Sequence, residues 1–112
     1  MSAVTTHVLD AATGRPAAGM AVVLERAVGD GWERVGAATT DGDGRCSDLG
    51  PATLPLGTYR LDFATAAWFA LAGRETFYPS VVVLFAVTDP GRAHHHVPLL
   101  LSPFAYSTYR GS

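Results

Sequence analysis

The sequence predicts an all-β sandwich of about seven to eight strands with one short helix. Short runs rich in β-branched and aromatic residues recur along the 112 residues, and clusters of glycine, proline and aspartate separate them. Hydrophobic residues make up 48% of the chain and charged residues 16%, which excludes a disordered chain and leaves some apolar surface for partners. The length fits one domain, residues 1–112, and no repeat or linker interrupts it.

The first half of the chain predicts three strands, at residues 4–9, 20–28 and 32–40. A turn over residues 10–16, with a glycine and a proline, separates the first two. Gly29-Asp30-Gly31 is a strong hairpin signal between the second and third. The sequence Asp41-Gly42-Asp43-Gly44 then ends the third strand and places Arg45 just beyond a tight loop.

The second half predicts the helix and the remaining strands. Residues 58–63 alternate cleanly, so Tyr59, Leu61 and Phe63 should be core, while Arg60 and Asp62 face the other side. The alanine-rich residues 65–73 predict the helix, with Gly73 as its stop. Further strands are predicted at 80–87, 94–101 and 105–110, and the continuous apolar run of 80–87 predicts a strand covered on both faces.

Charge and cysteine content exclude several classes of function. The net charge of -2 comes from scattered residues, so no surface for nucleic acid is expected. No apolar run reaches membrane-spanning length. Cys46 is the only cysteine, which excludes an intramolecular disulfide and fits a reducing compartment. We expect a cytoplasmic protein, or a periplasmic one if a signal peptide was removed ahead of Met1.

Three consecutive histidines open an otherwise apolar strand. Alternation places His94 and His96 on one face and His95 on the other. Surface or interface histidines are one interpretation. A metal site with His7 is a second, but the spacing is unspecific and we predict no metal or cofactor. General acid–base catalysis is the third, because small environmental shifts carry the pKa of histidine across neutral pH.

Two other features could carry chemistry. Cys46 follows Arg45, whose charge would favour a thiolate nucleophile, although a single cysteine is more often a small buried hydrophobe. The C-terminal residues 106–112 place phenol, guanidinium and carboxylate groups close together. They form either a frayed strand end or an ordered segment that brings hydrogen-bonding groups into a site.

Several motifs together resemble the 5-hydroxyisourate hydrolases of the transthyretin-related family. They are Thr6-His7-Val8-Leu9-Asp10, Thr13-Gly14-Arg15-Pro16-Ala17, His96-Val97-Pro98-Leu99-Leu100-Leu101-Ser102-Pro103 and Tyr109-Arg110-Gly111-Ser112. The resemblance covers essentially the whole chain, and the terminal tetrapeptide is its most specific part. It implies a transthyretin-like (prealbumin-like) β-sandwich that assembles as a homotetramer, a dimer of dimers, with active sites in the channel between dimers.

The resemblance also implies the reaction and its residues. 5-Hydroxyisourate would be hydrolysed at a cyclic amide-like bond to 2-oxo-4-hydroxy-4-carboxy-5-ureidoimidazoline, in urate degradation. The implied catalytic residues are His7, Arg45, His96 and Ser112, and the same residues with Tyr109, Arg110 and Gly111 would bind the substrate. We expect the two histidines to transfer protons, Arg45 to orient the substrate, and Ser112 to bring a hydroxyl and a carboxylate.

Two positions depart from the family pattern, and one rival function shares the fold. An aromatic residue is expected where the chain has His95, and a Tyr-Gly pair where it has Phe104-Ala105. Neither change removes an implied catalytic group, although either could shift substrate preference. The rival is a transthyretin-like carrier of small molecules, which would not need two histidines, an arginine and this C-terminal sequence at one channel.

Overall fold

The computed structural model describes residues 2–112, which form two β-sheets and one helix. The ten strands of this part of the chain are β1 (Val4–Asp10), β2 (Arg15–Pro16), β3 (Ala21–Val28), β4 (Gly31–Thr39), β5 (Arg45–Cys46), β6 (Gly57–Phe63), β7 (Val81–Val87), β8 (His95–His96), β9 (Leu99–Ser102) and β10 (Ala105–Thr108). The helix α1 spans Thr65–Leu71. Three of the strands have only two residues, so the seven longer ones match the predicted number.

One sheet has the strand order β4-β3-β6-β7. The other has the order β10-β9-β1-β2, and β5 and β8 also pair with β1. Apolar side chains from both sheets meet in one core, in which Val8 and Leu99 come from the sheet around β1, and Leu24 and Leu61 from the opposite sheet. This is the predicted β-sandwich.

Strand β6, in the sheet β4-β3-β6-β7, confirms the alternation predicted for residues 58–63. Tyr59, Leu61 and Phe63 are completely buried. On the other face, Arg60 donates to Glu25 Oε1 at 2.8 Å and lies over the Trp32 ring. The hairpin between β3 and β4 turns at Gly29 with φ at 57°, as its glycine-rich sequence predicts.

The helix ends where the sequence predicts. Gly73 has φ at 67°, and the backbone N–H of Arg74 donates to the carbonyl of Phe69 at 3.0 Å. Nη1 of Arg74 also forms an ion pair with Oδ2 of Asp10, at a distance of 2.6 Å. This ion pair fastens the end of α1 to the end of β1. None of the helices in residues 2–112 is long and apolar enough to cross a membrane.

Three strand predictions are wrong in detail. Residues 94–101 form two short strands rather than one, because Pro98 has no N–H to donate to the ladder. The strand at 80–87 is not covered on both faces in this chain, since Leu84 is 63% exposed and Val82 42% exposed. The last strand ends at Thr108 rather than Arg110.

Candidate active site

The candidate site lies on the outer face of β1. Alternation turns Val4 and Val8 into the core, and Thr5 and His7 therefore face outward. Antiparallel pairing with β5 sets Arg45 opposite His7. Three segments that are distant in sequence therefore present side chains on one surface, because parallel pairing with β8 also sets His96 opposite Thr5.

A tight turn places Arg45 at this surface. The carboxylate of Asp41 accepts hydrogen bonds from the backbone N–H groups of Asp43 at 2.9 Å and Arg45 at 3.0 Å. Gly44 has φ at 77°, and a Cβ there would lie 2.4 Å from the carbonyl oxygen of Val8. The turn can lie directly on β1 only because this residue is glycine. This accounts for Asp41 and Gly44 in the sequence ahead of Arg45.

A cavity of about 280 Å³ opens between these segments. The residues that line it are Thr5, Thr6, Arg45, Cys46, Ser47, His94, His96 and Ser112. Three of the four residues predicted to be catalytic, Arg45, His96 and Ser112, therefore share one cavity. The two ends of the chain meet here as the resemblance implied.

His7 stands beside this cavity and outside its lining. Its Nε2 lies 2.9 Å from the backbone carbonyl oxygen of Asp43. A carbonyl oxygen can only accept, so Nε2 of His7 carries the proton of this hydrogen bond. In neutral His7 the free lone pair is therefore on Nδ1. The turn that positions Arg45 also fixes the His7 ring.

His96 is half-buried, and its ring is held on two sides. Its Nδ1 lies 2.8 Å from the hydroxyl oxygen of Thr5. Gly111 packs so closely against the other side that a Cβ there would lie 2.5 Å from Cδ2 of the ring. Burial lowers the pKa of His96, and the nearby charges of His94, Arg45 and His7 lower it further. The ring therefore favours its neutral form, which a general base requires.

The C-terminal residues divide between two cavities. Gly111 bridges to His96, and its N–H donates to the His96 carbonyl at 2.9 Å. This contact carries Ser112 into the cavity described above. Tyr109 and Arg110 instead line a second cavity of about 320 Å³, together with residues of β7 and with His95. His96 lines both cavities and separates the two groups of predicted substrate-binding residues.

The other candidate residues also have defined positions. His94 lies on the face of His96, whereas His95 is buried on the other side, as alternation predicts. Within residues 2–112, no cluster of three or more histidine, cysteine, aspartate or glutamate side chains is arranged to hold a metal ion. Burial raises the pKa of Cys46 to about 11, and the negative charge of Asp41 adds to this. Its thiol is protonated at neutral pH, which argues against the nucleophile interpretation.

Sequence reasoning missed Thr5. Its hydroxyl is within hydrogen-bond distance of two histidine rings, at 2.9 Å from Nε2 of His94 and 2.8 Å from Nδ1 of His96. The available signal was its position two residues before His7 on an alternating strand, which puts both side chains on one face.

Comparison with known proteins shows the family of this chain. The model of the HIUase/Transthyretin family matches residues 4–111. The chain belongs to this family. It is 46% identical to the 5-hydroxyisourate hydrolase of Mus musculus over 114 residues, covering 99% of this chain and 96% of the mouse protein. It is also 44% identical over 124 residues to the uric acid degradation bifunctional protein TTL of Arabidopsis thaliana, covering 97% of this chain and 37% of that protein.

Solved structures of the family include an enzyme and a thyroxine complex. The 5-hydroxyisourate hydrolase of Klebsiella pneumoniae is 41% identical, with a TM-score of 0.87 over 99% of this chain and 100% of that one. Sea bream transthyretin, solved in complex with thyroxine, is 32% identical, with a TM-score of 0.91 over 97% of this chain and 94% of that one. The backbone is thus common to both functions, and the side chains of the site must distinguish them.

Proposed function

We propose that this chain is a hydrolase that opens the ring of 5-hydroxyisourate in urate degradation. The observation that carries this conclusion is the cavity on the outer face of β1, where Arg45, His96 and Ser112 come together from three parts of the chain. The hydrolases among its full-length relatives support the same reaction. A guanidinium and a neutral imidazole at one polar site suit hydrolysis of a planar substrate with several carbonyl groups.

In the proposed mechanism His96 is the general base. Its Nδ1 is engaged by Thr5, which leaves Nε2 to take a proton from water. The resulting hydroxide attacks the ring carbonyl, the electron pair of the C=O bond moves to oxygen, and the guanidinium of Arg45 stabilises the oxyanion. The oxyanion then re-forms the C=O bond while the C–N bond breaks. The leaving nitrogen takes the proton back from His96, so no net proton is gained or lost.

His7 has a supporting role in this mechanism. Its Nε2–H is committed to the carbonyl of Asp43, so only Nδ1 can interact with substrate or water. The same carbonyl belongs to the turn that positions Arg45. We propose that His7 orients the attacking water or a substrate N–H through Nδ1, and that Tyr109, Arg110, Gly111 and Ser112 form the other side of the binding site.

The test follows the ultraviolet absorbance of freshly generated 5-hydroxyisourate. Spontaneous decay without protein gives the baseline, and the wild-type chain should accelerate it. His96→Ala should lose most of this acceleration. Arg34→Ala is the control, because Arg34 is exposed on β4 in the opposite sheet and lines neither cavity, and it should retain activity. A folded wild-type protein that leaves the decay at its baseline rate would refute the hydrolase function.

The second candidate is a small-molecule carrier of the transthyretin type. The thyroxine complex of sea bream transthyretin, with its TM-score of 0.91, is the observation that favours it. A carrier binds without turnover, so it predicts that His96→Ala leaves the decay of 5-hydroxyisourate unchanged. The polar groups at the cavity favour the enzyme, because a site for an apolar ligand would leave them without hydrogen-bond partners.

We propose a homotetramer, arranged as a dimer of dimers, as the assembly in which this site works. Two edge strands expose apolar side chains, with Leu84 of β7 at 63% and Tyr106 of β10 at 42% exposure. Phe77 and Phe104 are also exposed, at 75% and 63%. Uncovered strand edges and aromatic side chains favour pairing between copies. Light scattering coupled to gel filtration should give four times the chain mass, and a monomer would refute this.

A further inference from the structure

The hydroxyl of Thr5 lies between two histidine rings on the site's surface. It is 2.9 Å from Nε2 of His94 and 2.8 Å from Nδ1 of His96. The two rings are stacked, with centroids 6.3 Å apart and planes inclined by 24°. Thr5 is 7% exposed, so its hydroxyl has little access to water that could replace these bonds.

A threonine hydroxyl has one proton, which restricts how these three groups can share hydrogen bonds. If Thr5 donates to His94, it must accept from Nδ1–H of His96. Neutral His96 then has its lone pair on Nε2. If Thr5 donates to His96 instead, the proton of neutral His96 must be on Nε2, and that nitrogen cannot act as a base. The direction of the Thr5 hydroxyl therefore decides whether His96 can accept a proton.

The backbone favours the first arrangement. The Thr5 backbone raises the pKa of His96 against the larger lowering by burial, which is the direction expected when a ring N–H faces a carbonyl oxygen. Nδ1 is the ring nitrogen that lies beside Thr5, and a backbone carbonyl can only accept, so we infer that the proton is on Nδ1. Parallel pairing of β1 with β8 places Thr5 opposite His96 and therefore fixes both contacts together.

We propose that Thr5 is a positioning residue for His96. Its hydroxyl accepts from Nδ1–H of His96 and donates to Nε2 of His94, which keeps Nε2 of His96 free to take a proton in the cavity. His94 is the outer member of this chain of hydrogen bonds and holds the hydroxyl in one direction. The inference rests on the hydrolase function proposed above, and it assigns a role to a residue that touches the base rather than the substrate.

The kinetic test compares two substitutions of Thr5. Thr5→Val keeps the branched shape and removes the hydroxyl, and we expect kcat to fall by about 10- to 100-fold, a part of what general-base catalysis contributes. KM should change by less than about twofold, because the interaction lost is one with the base and not with the substrate. Thr5→Ser restores the hydroxyl and should recover most of the lost kcat.

The spectroscopic test reads the tautomer directly. In ¹⁵N-histidine-labelled wild-type protein above the pKa of His96, long-range ¹H–¹⁵N correlation should show a protonated Nδ1 and an unprotonated Nε2. Thr5→Val should show a mixture of both tautomers. Thr76→Val is the control, since it removes a hydroxyl that donates to the Pro103 carbonyl at 2.7 Å, lines neither cavity and should leave the His96 tautomer unchanged.

The outcomes separate this inference from the function on which it rests. Wild-type kcat in Thr5→Val, or a proton on Nε2 of wild-type His96, would overturn the role of Thr5. If wild type fails to accelerate the decay of 5-hydroxyisourate, the proposed function fails, and the tautomer of wild-type His96 still decides the arrangement around Thr5. If Thr5→Val does not fold, the wild-type spectrum and the kcat of Thr5→Ser still decide it.

Discussion

The close packing of Gly111 against His96 leads to a specific prediction about the site. A Cβ added at this position would lie 2.5 Å from Cδ2, 3.2 Å from Cγ and 3.3 Å from Cβ of His96. Carbon atoms in contact prefer a separation of about 3.5–4.0 Å, so Gly111→Ala must push the ring or the C-terminal residues by about 1 Å. The φ of Gly111 is not positive, which means that alanine causes no backbone strain of its own.

The expected consequence is a large loss of activity with little loss of stability. A displacement of about 1 Å at a reacting group can cost about 100-fold in rate, and we expect kcat of Gly111→Ala to fall to that extent. Gly111 is outside the buried core, so the urea midpoint should hardly change. Gly31→Ala is the matched control, because a Cβ there meets only the Val28 carbonyl oxygen, at 4.0 Å. Wild-type kcat in Gly111→Ala would refute the argument, as would a loss of activity that accompanies unfolding.

Three further predictions concern the turn, an ion pair and pH. Gly44→Ala combines a positive φ with a contact of 2.4 Å to the Val8 carbonyl oxygen, and urea unfolding should show a loss of at least about 2 kcal/mol. Burial raises the pKa of Asp10, but hydrogen bonds from Arg74 and two backbone amides outweigh it and hold the pKa below 3.8. Wild type should therefore be more stable than Asp10→Asn above a pH of about 4. This difference in the free energy of unfolding should shrink as the pH falls through the folded-state pKa of Asp10, and urea unfolding at several pH values would measure it. Because the pKa of His96 lies below the ordinary 6.5, the pH profile of kcat/KM should fall on its acid side only below that value.

The sequence predicts most of the fold because alternation and turn residues are local signals. Tyr59, Leu61 and Phe63 face the core as their spacing indicates, and Gly73 ends the helix. The short strands β2 and β5 were missed, because each has only two residues and exists through its pairing with β1. The open face of β7 was also missed, since apolar composition alone cannot distinguish a strand face that the chain covers from one that stays exposed.

The candidate site was only partly predictable for a similar reason. The family resemblance supplied Arg45, His96 and Ser112, and the structure brings these three to one cavity. Motifs could not show that Tyr109 and Arg110 line a different cavity, which depends on the bridge between Gly111 and His96. The role of Thr5 depends on pairing between strands about ninety residues apart in sequence, which no local pattern reveals.

The site and the core depend on the same strand register. In β1, Val4 and Val8 are buried while Thr5 and His7 face the site, so a shift of one residue would exchange the two sets. Burial of the valines therefore holds Thr5 against His96, and it holds His7 beside the turn of Arg45. Because β5 and β8 also pair with β1, the register of β1 determines where their residues lie at the site. Core substitutions in β1 that shift its register should therefore lower activity without touching any residue of the cavity.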